Sequence, residues 1–339
     1  MQGYLKFKEK DEELYEINLN FKEENENRKN FFICIVYFLI NAYFGLVVQI
    51  KKCFHIITAK EIYSGIIFIL PFSQQKNTEK MLKKCIPKVK KLMNKYQIST
   101  LVLSDELKKD KSFLEHFQNN RILQKEVHIL DGKEMMPYLI KEIIEYILQK
   151  QGKTVELEDL YLLIKQESYD YKANIAFLAQ HFKTINIVTP CLKSYQILAN
   201  QLEEKYNVMI TVTNNKKKSL RKAKWVVNFD MKTEEMKKYT IYQTATVIYL
   251  ERNCIYQENA FTGIHVCKAG IDMSQEIKDF FIKQHLMEQF SITILYESIL
   301  INKRSFKSIK EQMKKDKVKI SKLYGSRGIL TEEELKKVG

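Results

Sequence analysis

The chain has 339 residues, 45% of them apolar and only four of them proline. That is enough to bury more than one core, and it excludes a disordered or fibrous chain. Lys and Arg outnumber Asp and Glu by 56 to 41, a formal net charge of +15, which raises anionic partners as a class. Lysine far outnumbers arginine, and Lys, Ile, Asn and Tyr are abundant together, as AT-rich coding produces. Phosphate and base readout favours arginine, so nucleic acid is not the expected partner.

Residues 1–30 are highly charged, and residues 4–20 contain a candidate strand pair, YLKFK and LYEINLNF. Residues 31–50, FFICIVYFLINAYFGLVVQI, are long enough for a membrane span. They divide equally well into a buried helix followed by the strand Leu46–Ile50, with aromatic residues spread along the length instead of at its ends. Basic residues lie on both sides (Arg28, Lys29, Lys51, Lys52), so they give no orientation, and the stretch lies too far from the start for a signal peptide. Residues 1–60 are therefore read as an N-terminal segment.

Residues 61–150 read as a small α/β unit. Gly65–Leu70 is a buried-type strand ended by Pro71, and residues 78–96 form a basic helix with Cys85, Val89, Leu92, Met93 and Tyr96 on its apolar side. Pro87 either kinks that helix or opens its second half. Thr100–Ser104 and Val127–Leu130 are the next strands. Met136, Leu139, Ile140, Ile143, Ile144, Ile147 and Leu148 then make the clearest amphipathic helix, which stops near Gly152.

Residues 151–255 alternate β-branched strands with amphipathic helices, the rhythm of a parallel α/β sheet. Leu160–Ile164 is too continuously apolar for a sheet with one wet face. Ile175, Leu178, Ala179 and Phe182 form a helical stripe, and Ile185–Thr189 is a second strand that stops at Pro190. Tyr195, Leu198, Ala199, Leu202 and Tyr206 repeat the stripe; Val208–Thr213, Lys224–Phe229 and Thr246–Leu250 are three more strands, with a short helix over Asn215–Lys222. Residues 256–339 read as a mostly helical, basic C-terminal region, with a turn and short strand at Asn259–Val266, one or two helices over 274–301 and a basic run from Lys303 to Arg327. That run reads as a solvated helix face or loose tail, with an RNA or membrane-surface contact as the alternative, and Thr331 with Glu334 forms a capping box. The fold class expected is α/β: a Rossmann-like parallel sheet, a second smaller α/β unit and a helical C-terminal segment.

Within residues 159–250, the succession Val188-Thr189-Pro190, helix ANQLEEKY, strand MITVT and Ser219-Leu220 through Ala223 to Val226-Val227-Asn228 resembles the NADP-binding domain of shikimate dehydrogenases and glutamyl-tRNA reductases. The resemblance implies a Rossmann fold, a polar cap for the 2′-phosphate at Thr189–Lys193, and an oxidoreductase with NADP. Those families place a glycine-rich turn after the first strand. Here the turn is Gln166-Glu167-Ser168-Tyr169-Asp170-Tyr171, and no glycine occurs between Gly152 and Gly263. Side chains stand where backbone should approach pyrophosphate, and Glu167 and Asp170 add negative charge beside it.

Ligands of open α/β sheets bind at the carboxyl ends of the strands, where the strand order reverses. For an order 3-2-1-4-5 that crevice is lined by Ser168 with Tyr169, and by Asn228 with Asp230, with Thr189 and Asn214 nearby. Asn214, Asn215 and Lys216–Lys218 are the best anion-binding candidate, a helix start that would combine backbone donors with ammonium groups; the alternative is that Asn215 merely caps a short helix and the lysines face water. The cofactor-binding candidates are thus Ser168, Thr189, Asn214, Lys216, Asn228 and Asp230. No GxSxG, Walker or HExxH sequence is present; Asp105 with Lys108 or Lys109 imitates an acid–base pair by fold analogy alone. Six cysteines without a CxxC pair and six scattered histidines fit a reduced chain without zinc. The expectation is a cytoplasmic, non-catalytic binding or regulatory module without cofactor, whose partner is a protein or a small anionic ligand. The alternatives are an NAD(P)-dependent oxidoreductase using NADP, and a protein anchored to a membrane through residues 31–50.

Overall fold

A computed structural model describes residues 2–6, 58–62, 65–70, 79–98, 100–104, 107, 128–155, 158–250, 262–283, 286–288, 290–300 and 305–337. Its contacts divide the chain into two compact units, residues 1–131 with 280–299 and residues 132–279 with 300–339. The apolar stretch 31–50, the segment LYEINLNF and the Asp105, Lys108 and Lys109 group lie outside the described residues.

The first unit is built on a five-stranded sheet in the order β2-β3-β1-β4-β5, from β1 (Gln2–Lys6), β2 (Thr58–Ile62), β3 (Gly65–Ile69), β4 (Thr100–Leu103) and β5 (His128–Leu130). Only β2 runs antiparallel to its neighbour. Strand β1 has β3 on one edge and β4 on the other. Strand β4 is buried throughout, as its unbroken apolar run requires. Helix α1 (Glu79–Lys95) accommodates Pro87 in its interior and buries Cys85, Val89 and Met93; burial pushes the Cys85 thiol up to about 11.

The second unit opens with α2 (Met136–Lys150), which buries all seven residues of its predicted stripe. It ends at Gly152, whose φ of +69° lets Lys153 and Gly152 donate back to the carbonyls of Leu148 and Gln149 at 2.9 and 3.3 Å. This is the αL stop that glycine makes cheap. There follow β6 (Asp159–Leu163), α3 (Tyr169–Leu178), β7 (Thr184–Val188), α4 (Leu192–Tyr206), β8 (Met209–Thr213), α5 (Lys216–Leu220), β9 (Trp225–Asn228), α6 (Thr233–Met236), β10 (Thr246–Tyr249) and β11 (Ile264–Val266). The six strands are all parallel, in the order β11-β10-β9-β6-β7-β8. Chain order therefore reads 3-2-1-4-5-6 across the sheet, the Rossmann arrangement, with one strand more than the five read from the sequence.

The sheet is covered on both sides, so its strands are apolar without alternation. Leu160, Leu162, Leu163 and Ile164 are fully buried, each stabilising the fold by about 1.5–3 kcal/mol relative to exposure. One of the covering layers joins Leu220, Ala223, Met236 and Ile241 to Leu163, Val188, Val226 and Val247. Trp225 is buried as well, and its indole N–H donates to Glu158 at 3.1 Å, so its polar atom is satisfied.

The C-terminal region contributes α7 (Gln275–Lys283), α8 (Ile292–Leu300), α9 (Phe306–Lys315) and α10 (Glu332–Lys336), with the Thr331–Glu334 capping box formed as read. It also contains a three-stranded antiparallel sheet the sequence reading lacked: β12 (Lys268–Asp272), β13 (Lys319–Gly325) and β14 (Gly328–Ile329). Within the second unit, α9 docks on α2 and α3 through Lys310. Its ammonium donates to Glu142 at 2.6 Å and to the Tyr138 carbonyl at 2.9 Å, and stands 4.3 Å from the Phe177 ring centroid.

Candidate functional site: the crevice where strand order reverses

Strands β7 and β9 both pair with β6, so the order reverses there and the loops that follow β6 and β9 face one another. The β6 loop is Ile164–Ser168. The β9 loop is short because Asn228 folds it. Its buried side chain donates to the Met231 carbonyl at 2.8 Å and accepts from the Met231 N–H at 2.9 Å. This turn aims Asp230 back across the crevice. The Asp230 carboxylate accepts from the backbone N–H of Lys165 at 2.6 Å and of Gln166 at 2.8 Å, one oxygen to each.

Two consecutive backbone donors at the end of the first strand are what a Rossmann turn offers a ligand. In this chain an internal carboxylate takes them. The same β9 segment also takes the nearest cation, for Lys165 donates from its ammonium to Glu235 at 2.7 Å. Other bonds also hold the β6 loop. The Tyr195 hydroxyl of α4 donates to the Gln166 carbonyl at 3.3 Å, and Glu167 is paired with Lys172 of α3. Burial holds the Asp230 carboxyl above the usual aspartate range, against the opposing pull of its two amide donors and of Lys165. The Lys165 hydrogen bond holds Glu235 below its usual range, and burial raises the Tyr195 phenol.

The six candidates divide accordingly. Ser168, Asn228 and Asp230 meet at the reversal point. Ser168 is the N-cap residue of α3 without a side-chain cap bond, Asn228 is consumed by its own turn, and Asp230 bridges the crevice. Thr189 is buried at the end of β7, and its hydroxyl accepts from Cys191 at 3.1 Å. Asn214 and Lys216 follow β8, two strands from β6, a distance of about 10 Å at ordinary strand spacing. Helix α5 there is five residues long, with Asn215 capping it by accepting from Lys218 at 3.0 Å. Lys217 and Lys218 face water, and the Lys216 ammonium stands 6.0 Å from the Tyr239 ring centroid. A short helix capped by Asn215 is common to both readings of this stretch. Lys165, Gln166 and Glu235 escape sequence reading, because their partnerships join positions 64 to 70 residues apart.

A separate cavity of about 360 Å³ lies at the opposite edge of the sheet, where residues 153–155 lead into β6 and residues 180–181 leave α3. It is lined by Lys141, Glu145, Lys153 and His181 among others. Lys141 is paired there with Glu145 at 2.6 Å. Burial, helped by Lys141, lowers His181 below its ordinary value. The ends of α2 and α3 that flank the cavity bring their carbonyl poles, which work against an anion there. Among the described residues no group of three or more His, Cys, Asp and Glu could hold a metal ion.

No protein-family model matches the chain. No curated protein matches it either. Among solved structures, it is similar to L-tryptophan dehydrogenase from Nostoc punctiforme, at 10% identity and TM-score 0.33 over 73% of this chain and 66% of that one. It is similar also to aspartate transcarbamoylase from Trypanosoma cruzi, at 12% identity and TM-score 0.25 over 54% and 62% of the two chains. A shikimate dehydrogenase in complex with NADP+ matches at 13% identity and TM-score 0.21 over 54% and 64%. The chain thus spans just under two thirds of each of these proteins. The Rossmann-like fold of the chain rests on its own strand order.

Proposed function

We propose that this chain is a Rossmann-like protein whose dinucleotide crevice is closed from within, and that it acts as a non-catalytic binding or regulatory module in the cytoplasm. The observation that supports this reading is the Asp230 carboxylate on the Lys165 and Gln166 amides, at 2.6 and 2.8 Å. A pyrophosphate would have to displace that carboxylate, break the Lys165–Glu235 pair and pass side chains where glycine is usual. Its partner is then a protein or a small anion met elsewhere on the surface. Tyr169, in the first turn of α3 after the β6 loop, is 84% exposed. No helix among the described residues is long and apolar enough to cross a membrane.

The second reading is an NADP-dependent oxidoreductase with an unusual phosphate loop, favoured by the preserved strand order around the reversal point. Thermal unfolding with millimolar NADPH, NADP, NADH and NAD separates the two. A ligand at 100 times its dissociation constant adds about 2.7 kcal/mol, a rise of several degrees. The closed-crevice reading expects no shift with any of the four. A clear shift with one of them would replace it with the oxidoreductase reading.

A further inference from the structure

The basic run after Lys303 does not stay a loose tail. Its second half becomes β13, and the register of the C-terminal sheet sorts its side chains onto two faces. Leu323 lies opposite Ala269, and Ile320 opposite Ile271. Leu323, Ala269 and Ile271 are buried, and the Ser321 carbonyl beside them accepts from the Tyr146 hydroxyl of α2. On the other face Tyr324 lies opposite Lys268, Lys322 opposite Gly270 and Lys319 opposite Asp272. Asp272, the one acid in that set, is paired with Lys278 at 2.5 Å.

Gly270 has a local role here. A Cβ added to it would come within 2.7 Å of the Lys322 Cγ, so the Lys322 stem lies flat across the gap the glycine leaves. This brings the Lys322 ammonium to 5.6 Å from the Tyr324 ring centroid, with Lys268 at 5.9 Å. Ile329, opposite Tyr324 on β14, is 58% exposed, and Arg327 is exposed in the tight turn between β13 and β14. Residues 305–328 carry eight Lys and Arg (307, 310, 314, 315, 317, 319, 322, 327) against Glu311 and Asp316, a net charge of +6.

We propose that this face binds single-stranded nucleic acid, with Lys268, Lys319, Lys322 and Arg327 on phosphates and Tyr324 against a base. Cations track the backbone of a single strand while an aromatic ring on a sheet face accepts a base without regard to sequence. The composition of the whole chain hid this, because lysine is abundant everywhere. The register concentrates it around one aromatic residue. A membrane surface would use the same lysines, but it is served by side chains that protrude into the acyl region, whereas Tyr324 is half-buried and lies in the face. The inference is independent of whether the crevice of the Rossmann-like sheet is closed.

The test is fluorescence anisotropy of the full chain with a labelled 15-nucleotide oligouridylate between 50 and 300 mM salt, beside phosphatidylserine vesicles. Four phosphate contacts give an expected slope of log K against log salt near about −3. Replacing Lys268 and Lys322 together by Ser should weaken binding at least about tenfold and halve that slope. Tyr324→Ala should weaken it by about five- to a hundredfold with the slope unchanged, the size of one stacked base. If Tyr324→Ala does not fold, the lysine pair decides on its own. Absence of oligonucleotide binding at 50 mM salt, binding untouched by the lysine pair, or vesicle binding in place of oligonucleotide binding would each overturn the proposal.

Discussion

At the scale of single residues, Asp230 carries the argument. Its position just after the fourth strand of the Rossmann-like sheet is legible in the sequence, and there it reads as a candidate ligand for a cofactor. Its role as an acceptor for the β6 loop was not legible, since it depends on the turn Asn228 makes and on amides 64 and 65 residues away. The missing glycine told the same story from the other side, because a loop that no phosphate approaches has no need of φ > 0 or of a bare backbone. Asp230→Ala removes both acceptors and leaves two amide groups to find water. At a half-buried, partly solvated site this should cost about 1–2 kcal/mol, measured by urea unfolding. A change within about 0.3 kcal/mol would mean the loop is held by something else.

At the scale of elements, the strands of the central sheet follow from their apolar runs and lie within a residue of the reading. Helix α3, by contrast, ends at Leu178, short of Phe182 on its expected stripe, and α6 has too few residues to show a period. Strand β11 was legible only as a short strand near Val266, because three residues carry no periodicity to fix a sheet or a register. Strand β13 was missed for another reason. Its open face is lysine and tyrosine, so the period-2 alternation is drowned by a charged run that reads equally as helix or tail. Strand β11 brings a test of its own, through His265. Burial lowers the imidazole of His265 from the usual 6.5 to about 4, while the unfolded chain takes its proton near about 6.5. Between these values the unfolded state binds more protons, so stability falls as pH drops from about 6.5 towards 4. The loss should amount to about 3 kcal/mol, and His265→Gln should unfold with that much less pH dependence across the same window. Parallel curves for the two proteins would show that His265 is solvated in the native state.

At the scale of the whole molecule, the sequence made the α/β class and the Rossmann-like order readable, because buried parallel strands must be apolar and their crossovers must be helical. It left the state of the crevice undecided, since the fold alone leaves open what occupies its switch point. Asp230 satisfies the first turn of this Rossmann-like sheet from within. The most direct measurement is amide hydrogen exchange at Lys165 and Gln166 by NMR, with and without millimolar NADPH. Slow exchange at both amides, unchanged by NADPH and lost in Asp230→Ala, is the result expected. Fast exchange in the native protein, or protection that appears only with the dinucleotide, would contradict the claim and make the crevice an open cofactor site.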